Sequence, residues 1–160
     1  MHIFISPTDF HAWSELLSFL RDAFAYMDSR IDPPSSLHRM EVEDLRNKAK
    51  EETLIIATEG AELIGCAFVA IRDDCAYVGK VAVAGSGRRK GVARELMAAA
   101  EGVARQHQRP CLELQTRVEL LENHRTFAAL GFEKVAETAH AGYGRPTSIT
   151  MRKPLPANPD

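Results

Sequence analysis

Three glycines and three consecutive cations, Gly85-Ser86-Gly87-Arg88-Arg89-Lys90-Gly91, form the segment of this 160-residue chain best suited to chemistry. The run Val78 to Val83 leads into it, and Val92, Leu96, Ala99 and Val103 follow at helical spacing. The order is strand, loop, helix. Such a junction aims unpaired backbone N–H groups and the positive end of a helix dipole at one point, which suits an anion. Glycine at 85, 87 and 91 frees the chain to take positive φ and lets a phosphate reach the main chain, while Arg88, Arg89 and Lys90 supply charge at the rim. A plain turn before a solvated helix start would use the same residues, so the loop alone leaves both readings open.

Spacing separates the phosphate-binding candidates. A P-loop requires Gly-Lys followed by Ser or Thr, whereas Lys90 precedes its glycine and Val92 follows it. A dinucleotide fingerprint is missed by one residue, and the next strand ends in Gln115-Thr116 without the acidic residue that would hold a ribose. Arg88-x-x-Gly91-x-Ala93 resembles the Gln/Arg-x-x-Gly-x-Gly/Ala signature of the GNAT superfamily of acyl-CoA-dependent N-acyltransferases. The run Asn123-His124-Arg125-Thr126-Phe127-Ala128-Ala129-Leu130-Gly131-Phe132 resembles the second signature of that family, an asparagine and an aromatic ahead of Leu-Gly-Phe. The likeness spans about Leu54 to Lys153.

The resemblance implies an α/β domain of GNAT type: a central, mostly antiparallel mixed sheet flanked by helices, with one parallel strand pair. It implies acetyl-CoA as cofactor, its diphosphate held by the amides of Arg88, Arg89, Lys90, Gly91, Val92 and Ala93. It also places the strand Val81-Ala82-Val83 along the acyl group, with a backbone N–H near Val83 as oxyanion donor, and Asn123 and Phe127 beside the pantetheine arm. Asn123 could equally cap its own helix. The family's frequent acid is a tyrosine four residues before the glycine of Gly-Phe; here that position is Phe127, which cannot donate. Water, His124 or Tyr143 would have to protonate the departing thiolate instead. The expected activity is transfer of an acetyl group to a primary amine of a small molecule or peptide, by direct attack in a ternary complex. A noncatalytic acyl-CoA-binding domain is the alternative, and homodimers are frequent where the resemblance holds.

An attacking amine must first lose a proton. With an ordinary pKa near ~10.4, a charged amine at neutral pH adds roughly 4 to 5 kcal/mol to the barrier. Candidate bases are Glu113, Glu119, His124, Tyr77 and His140, with Glu119 first because it lies just past a strand end. Strand alternation puts Tyr77 on the same face as Val81 and Val83. Arg117, Arg145 and Tyr143 lie toward the acceptor end, where an arginine could pair with a substrate carboxylate. The sequence names no acceptor.

Charge excludes some partners. Lys plus Arg number 20 against 22 for Asp plus Glu, so no global field draws the chain to nucleic acid or an anionic membrane. Cys66, Cys75 and Cys111 have no close pair spacing, which fits reduced thiols, a cytoplasmic location and no metal site. No apolar run approaches a membrane span, and no secretory leader is expected.

The supporting elements follow from periodicity. Met1 to Ile5 reads as a strand, and Phe10, Trp13, Leu17, Leu20 and Phe24 as one helix face capped by Thr8 or Asp9. Tyr26 to Ser36 should be a loop over the acceptor site, and Leu37 to Glu51 a second helix supported by Asp44 and Lys48. Thr53 to Thr58, Leu63 to Ile71 and Ala76 to Val83 should form an antiparallel meander. A helix from Val92 to about His107 then crosses to a parallel strand, Cys111 to Thr116. A short helix, Glu122 to Leu130, and a hairpin of Glu133 to Glu137 with Ser148 to Arg152 close the domain around the loop Thr138 to Thr147. One domain, 1–153, is expected, with a flexible proline-rich tail over 154–160.

Overall fold

The computed structural model describes residues 1–85 and 91–156, so Arg88, Arg89 and Lys90 of the predicted anion loop lie outside the described residues. In chain order the elements are β1 (His2–Ile5), α1 (Trp13–Phe24), α2 (Val42–Glu51), β2 (Thr53–Glu59), β3 (Glu62–Ile71), β4 (Ala76–Val83), α3 (Val92–Gln106), β5 (Cys111–Arg117), α4 (Leu121–Ala129), β6 (Glu133–Thr138) and β7 (Ser148–Pro154). The strands make one sheet ordered β1-β2-β3-β4-β5-β7-β6. Every neighbouring pair is antiparallel except β4 with β5. This is the mixed α/β architecture expected from the sequence.

Alternation along the strands gives the sheet two apolar faces. Ile55, Ala67, Val69, Leu112 and Leu114 pack with Leu96, Met97, Ala100 and Val103 of α3 on one side. Leu54, Ile56 and Phe68 pack with Leu16, Leu17 and Leu20 of α1 and Leu45 of α2 on the other. Each fully buried leucine contributes about 1.5–3 kcal/mol, so the two layers fix where the helices sit. Phe127 of α4 and Leu130 just after it join the α3 side. Gly131, at φ +101°, ends α4: its N–H donates to Ala128 O and the Phe132 N–H to Phe127 O, both at 3.0 Å, which turns Phe132 back into the core.

Several expected boundaries move, each for a local reason. Helix α1 starts at Trp13 rather than after Thr8 or Asp9, and no side chain caps it. The turn from Pro7 O to Phe10 N–H and the edge-on packing of Phe10 on Trp13, 4.8 Å between rings, hold Phe10 ahead of the helix. The second helix is split, because Ser35 Oγ accepts from Leu37 N–H and sets a 3-10 turn over Ser36–Arg39 before α2 begins at Val42. Asp44 does not pair with Lys48. Its carboxylate accepts from the Glu41 N–H at 2.8 Å in a capping box, and Lys48 joins Glu52 at 2.9 Å. The proline-rich end is held further than expected, since β7 runs through Pro154 and Leu155 N–H donates to Pro110 O at 2.9 Å.

Cys66, Cys75 and Cys111 are all free and buried. Burial pushes the Cys66 thiol up to about 12. Among the described residues no helix is long and apolar enough to cross a membrane.

Helix α3 lies close to the sheet at Gly65 of β3. A Cβ there would stand 2.7 Å from Val92 Cγ1 and 3.2 Å from Leu96 Cδ1. Val92 is β-branched and cannot swing aside, so Gly65→Ala should push the first turn of α3 outward. The expected cost is about 1–3 kcal/mol, read as a lower denaturant midpoint at unchanged slope.

Candidate active site

Strands β4 and β5 are registered over two pairs, Ala76 with Leu112 and Tyr77 with Glu113. Beyond these the strands part, and a cavity of about 240 Å³ opens in the fork. Tyr77, Lys80 and Val81 line it from β4, and Leu114, Gln115 and Arg117 from β5. Phe24, Met27, Ser35 and Leu37 line it from the segment between α1 and α2, and Asn123, Phe127 and His140 complete the wall.

A bulge in β4 shapes this fork. Cys66 of β3 faces Ala82 and Phe68 faces Gly79, so two steps along β3 match three along β4. Lys80 sits in the bulge at φ +51°, a conformation rare for a residue with a Cβ. One extra residue inverts the alternation. Ala76 and Val78 belong to the α3-side core, whereas Ala82 belongs to the α1-side core and Val81 and Val83 pack toward α3. Tyr77 therefore does not share a face with Val81 and Val83, contrary to simple alternation, although it borders the cavity.

A second cavity, of about 510 Å³, continues from the first. Val81, Ala82, Val83, Ala93, Asn123 and Phe127 line it, and Phe24, Val81, Asn123 and Phe127 belong to both. It leads to the start of α3, where Gly91 takes φ +75° and Glu95 N–H donates to Gly91 O at 3.1 Å. Among the described residues no side chain caps this terminus. Gly91 is thus in the left-handed conformation that glycine takes most readily, whereas Gly85 has ordinary φ. Asn123 does not cap α4, since the residue before that helix is Leu120 and no side-chain cap bond forms. Its amide Nδ2 instead donates to Tyr26 Oη at 3.3 Å. Phe127 packs edge-on against Phe132, with 6.1 Å between rings, and shows its other side to both cavities.

The predicted acid–base groups are dispersed. Glu113 is held by Arg152 Nε at 2.8 Å and Arg72 at 3.3 Å. Glu119 does not line the fork: its Oε2 accepts from the Asp32 N–H at 3.1 Å, and its buried Oε1 has no partner. His124 donates from Nε2 to Arg117 O at 2.9 Å, which ties it to the backbone. Burial raises the Tyr77 phenol, against the opposing charge of the Arg72 guanidinium stacked 3.9 Å above its ring.

The groups expected at the acceptor end hold loops. Arg117 Nη1 donates to Pro33 O at 2.7 Å and Nη2 to Pro34 O at 3.4 Å. Tyr143 Oη donates to Asp32 Oδ1 at 2.7 Å, and Arg145 pairs with Asp32 Oδ2 at 3.2 Å. Arg30 forks onto Glu122 and holds that carboxyl down to about 2. The segment Tyr26 to Ser36 is therefore fastened over the fork from three sides.

His140 is different. Its backbone N–H donates to Thr147 Oγ1 at 2.9 Å, and its Nδ1 bonds the same oxygen. Thr147 Oγ1 has one proton, which goes to Thr138 O at 3.4 Å. With the Thr147 hydroxyl proton on Thr138 O, the hydrogen-bond network assigns the Nδ1–H tautomer and leaves the lone pair on Nε2 of a residue that lines the cavity. Burial, then the charge of Arg117, lowers the imidazole below its usual value.

Comparison with known proteins decides the family. A model of the acetyltransferase (GNAT) family matches residues 13–132. The chain belongs to that family. Among solved structures, an aminoglycoside 6'-N-acetyltransferase complexed with coenzyme A superposes with a TM-score of 0.76 at 17% identity, over 100% of both chains. The PaiA N-acetyltransferase of Thermoplasma acidophilum, in complex with coenzyme A, reaches 0.79 at 16% identity, over 97% of this chain and 100% of that one. A GNAT acetyltransferase from Elizabethkingia anophelis with acetyl-CoA bound reaches 0.70 at 17%, over 96% and 97%. At such identities the likeness is one of GNAT fold. No curated protein matches the sequence.

Sequence reasoning passed over Lys80 and Asp32. Gly79-Lys80 interrupts an otherwise β-branched and aromatic strand, which is the usual mark of a bulge. Asp32 has no local signal, because its partners lie 111 and 113 residues away. Asp32→Ala should release the segment over the fork while changing unfolding free energy by less than ~1 kcal/mol, since these ion pairs are exposed. Hydrogen exchange should show faster amide exchange around 28–35, and the acceptor KM should rise.

Proposed function

We propose that this GNAT domain transfers an acetyl group from acetyl-CoA to a primary amine of a small molecule by direct attack in a ternary complex. The observation that carries the reading is the continuity of the two cavities, from the start of α3 to the fork between β4 and β5. The chain's groups suit coenzyme A: an anion-favouring helix start, a Gly91 backbone in left-handed conformation, and an apolar channel along Val81, Ala82 and Val83. Arg88, Arg89, Lys90, Val92 and Ala93 complete the proposed diphosphate grip, and Asn123 and Phe127 flank the arm. When bound, acetyl-CoA supplies the thioester carbonyl.

The fork supports an orientation of reactants that the closed part of the sheet could not. Past Tyr77 the pairing of β4 with β5 stops, and a β4 N–H on that edge, where β3 does not take it, is suited to donate to a developing oxyanion. His140 Nε2 is the group best suited to take the amine proton, directly or through water. Its lowered pKa keeps it neutral into mildly acidic solution, and the Arg117 charge that lowers it also disfavours an ammonium in the cavity. Of the groups that could have replaced a tyrosine acid at Phe127, His124 is bonded to Arg117 O and Tyr143 to Asp32. The thiolate is a good enough leaving group to depart to water. The three unpaired thiols fit a cytoplasmic enzyme.

Phe127 gives the second reading its one support, an acyl-CoA-binding domain without turnover. Thiol release from acetyl-CoA on adding an amine panel separates the two, and tight coenzyme A binding without amine-dependent release would leave only the binding module. For the enzyme, His140→Gln should lower kcat/KM by about 10²–10⁴ with coenzyme A affinity kept. The acid limb of the wild-type profile should lie below the ordinary imidazole value of ~6.5, because the protonated form is disfavoured, and the variant should lose that limb.

A further inference from the structure

The fork cavity has an unusual charge balance for a chain of formal net charge −2. Its ionised lining side chains among the described residues are Lys80 and Arg117, both cations, and no carboxylate lines it. Arg117 is already occupied, because its guanidinium holds the Pro33 and Pro34 carbonyls and stands near Asp32 and Glu119. Lys80 is not. Its Nζ donates to Ser36 Oγ at 3.2 Å, one of three donors, and no carboxylate lies within salt-bridge distance among the described residues. Lys48 and Glu52, the ionised pair closest in influence, are joined to each other at 2.9 Å. Burial and Lys48 both disfavour the Lys80 charge, and the backbone that presents it is held at φ +51°. A partly buried cation on a strained bulge, facing a cavity with no counter-charge, is a feature that an anionic ligand would complete.

We infer that Lys80 anchors a carboxylate of the acceptor, so that the substrate class is a small amine carrying a carboxylate and an apolar body rather than a polycation. This rests on the acetyltransferase reading above. The cavity's volume of about 240 Å³ is below the ~300–1,000 Å³ of sites for drug-sized ligands, which also selects against bulky aminosugars. Phe24, Met27, Leu37 and Leu120 give the apolar body a wall. A polyamine would bring further positive charge against Lys80 and Arg117 in a site where water screens poorly.

The probes are acid and decarboxylated pairs: L-leucine with isopentylamine, L-phenylalanine with phenethylamine, and spermidine as a polycation. Wild-type protein should favour the acid member of at least one pair by about tenfold or more in kcat/KM, the usual worth of a charge-assisted hydrogen bond. Calorimetry on coenzyme A-saturated protein should show the same preference in Kd, which is a readout independent of turnover. Lys80→Gln should collapse the ratio within each pair through KM, and Lys80→Arg should restore part of it. Lys80→Gly relieves the positive φ while removing the charge, so loss of preference in both Lys80→Gly and Lys80→Gln, at melting temperatures close to wild type, assigns the effect to the cation. Equal rates within both pairs, a preference for spermidine, or a preference that survives Lys80→Gln would overturn the carboxylate anchor while leaving the acetyltransferase intact. Absence of thiol release with every amine would instead remove the enzyme itself.

Discussion

Where β4 and β5 separate, a sheet that is otherwise continuously bonded leaves main-chain donors and acceptors without strand partners. Two registered pairs hold the strands together at Ala76 and Tyr77, and the fork begins at the next residue. A buried or half-buried amide must find some partner, whether water, a side chain or a ligand. The rest of the domain is arranged to keep that opening from collapsing. Apolar layers on both faces fix β3 against α3 on one side of the fork and β5 against β7 on the other.

The bulge at Lys80 reinforces the opening. One extra residue on β4 adds local twist and turns the strand's face over, so that Val81 and Val83 join the groove beside α3 while Lys80 enters the fork. Backbone geometry, and not side-chain choice alone, thus brings a cation, a second cavity and the end of the β4–β5 pairing to one place. The cover over this site is electrostatic. Tyr143 and Arg145 hold the Asp32 carboxylate, Arg30 holds Glu122, and Glu119 accepts from the Asp32 N–H, with Arg117 gripping two carbonyls of the same loop. These bonds are mostly exposed, which suits a segment that must admit an acceptor.

Some of this was readable from residues alone. Helix α3 and strands β2 to β5 follow hydrophobic periodicity, and their order with short turns forced a meander followed by one crossover. The start of α3 was equally legible, because the glycine at 91 and the apolar helix after it are local signals. Charged side chains were less so. Glu119 and His124 were reasonable bases by position, yet each is tied to main chain contributed by another segment, Asp32 N–H for one and Arg117 O for the other. His140 was one candidate among five until Thr147 fixed its tautomer.

Local chemistry, then, determined the elements, the two-sided core and the family signatures. These depend on patterns within a dozen residues, which a chain carries whatever its tertiary fold. Tertiary structure alone decided which ionisable groups face the fork, because partners 83 to 113 residues away hold Arg117, Glu119, Tyr143 and Arg145, and the bulge at Lys80 redirected the strand beyond it. The physical reason is that a side chain's charge is neutralised or left available by neighbours that only folding brings near, and a one-residue insertion in a strand inverts every face assignment beyond it.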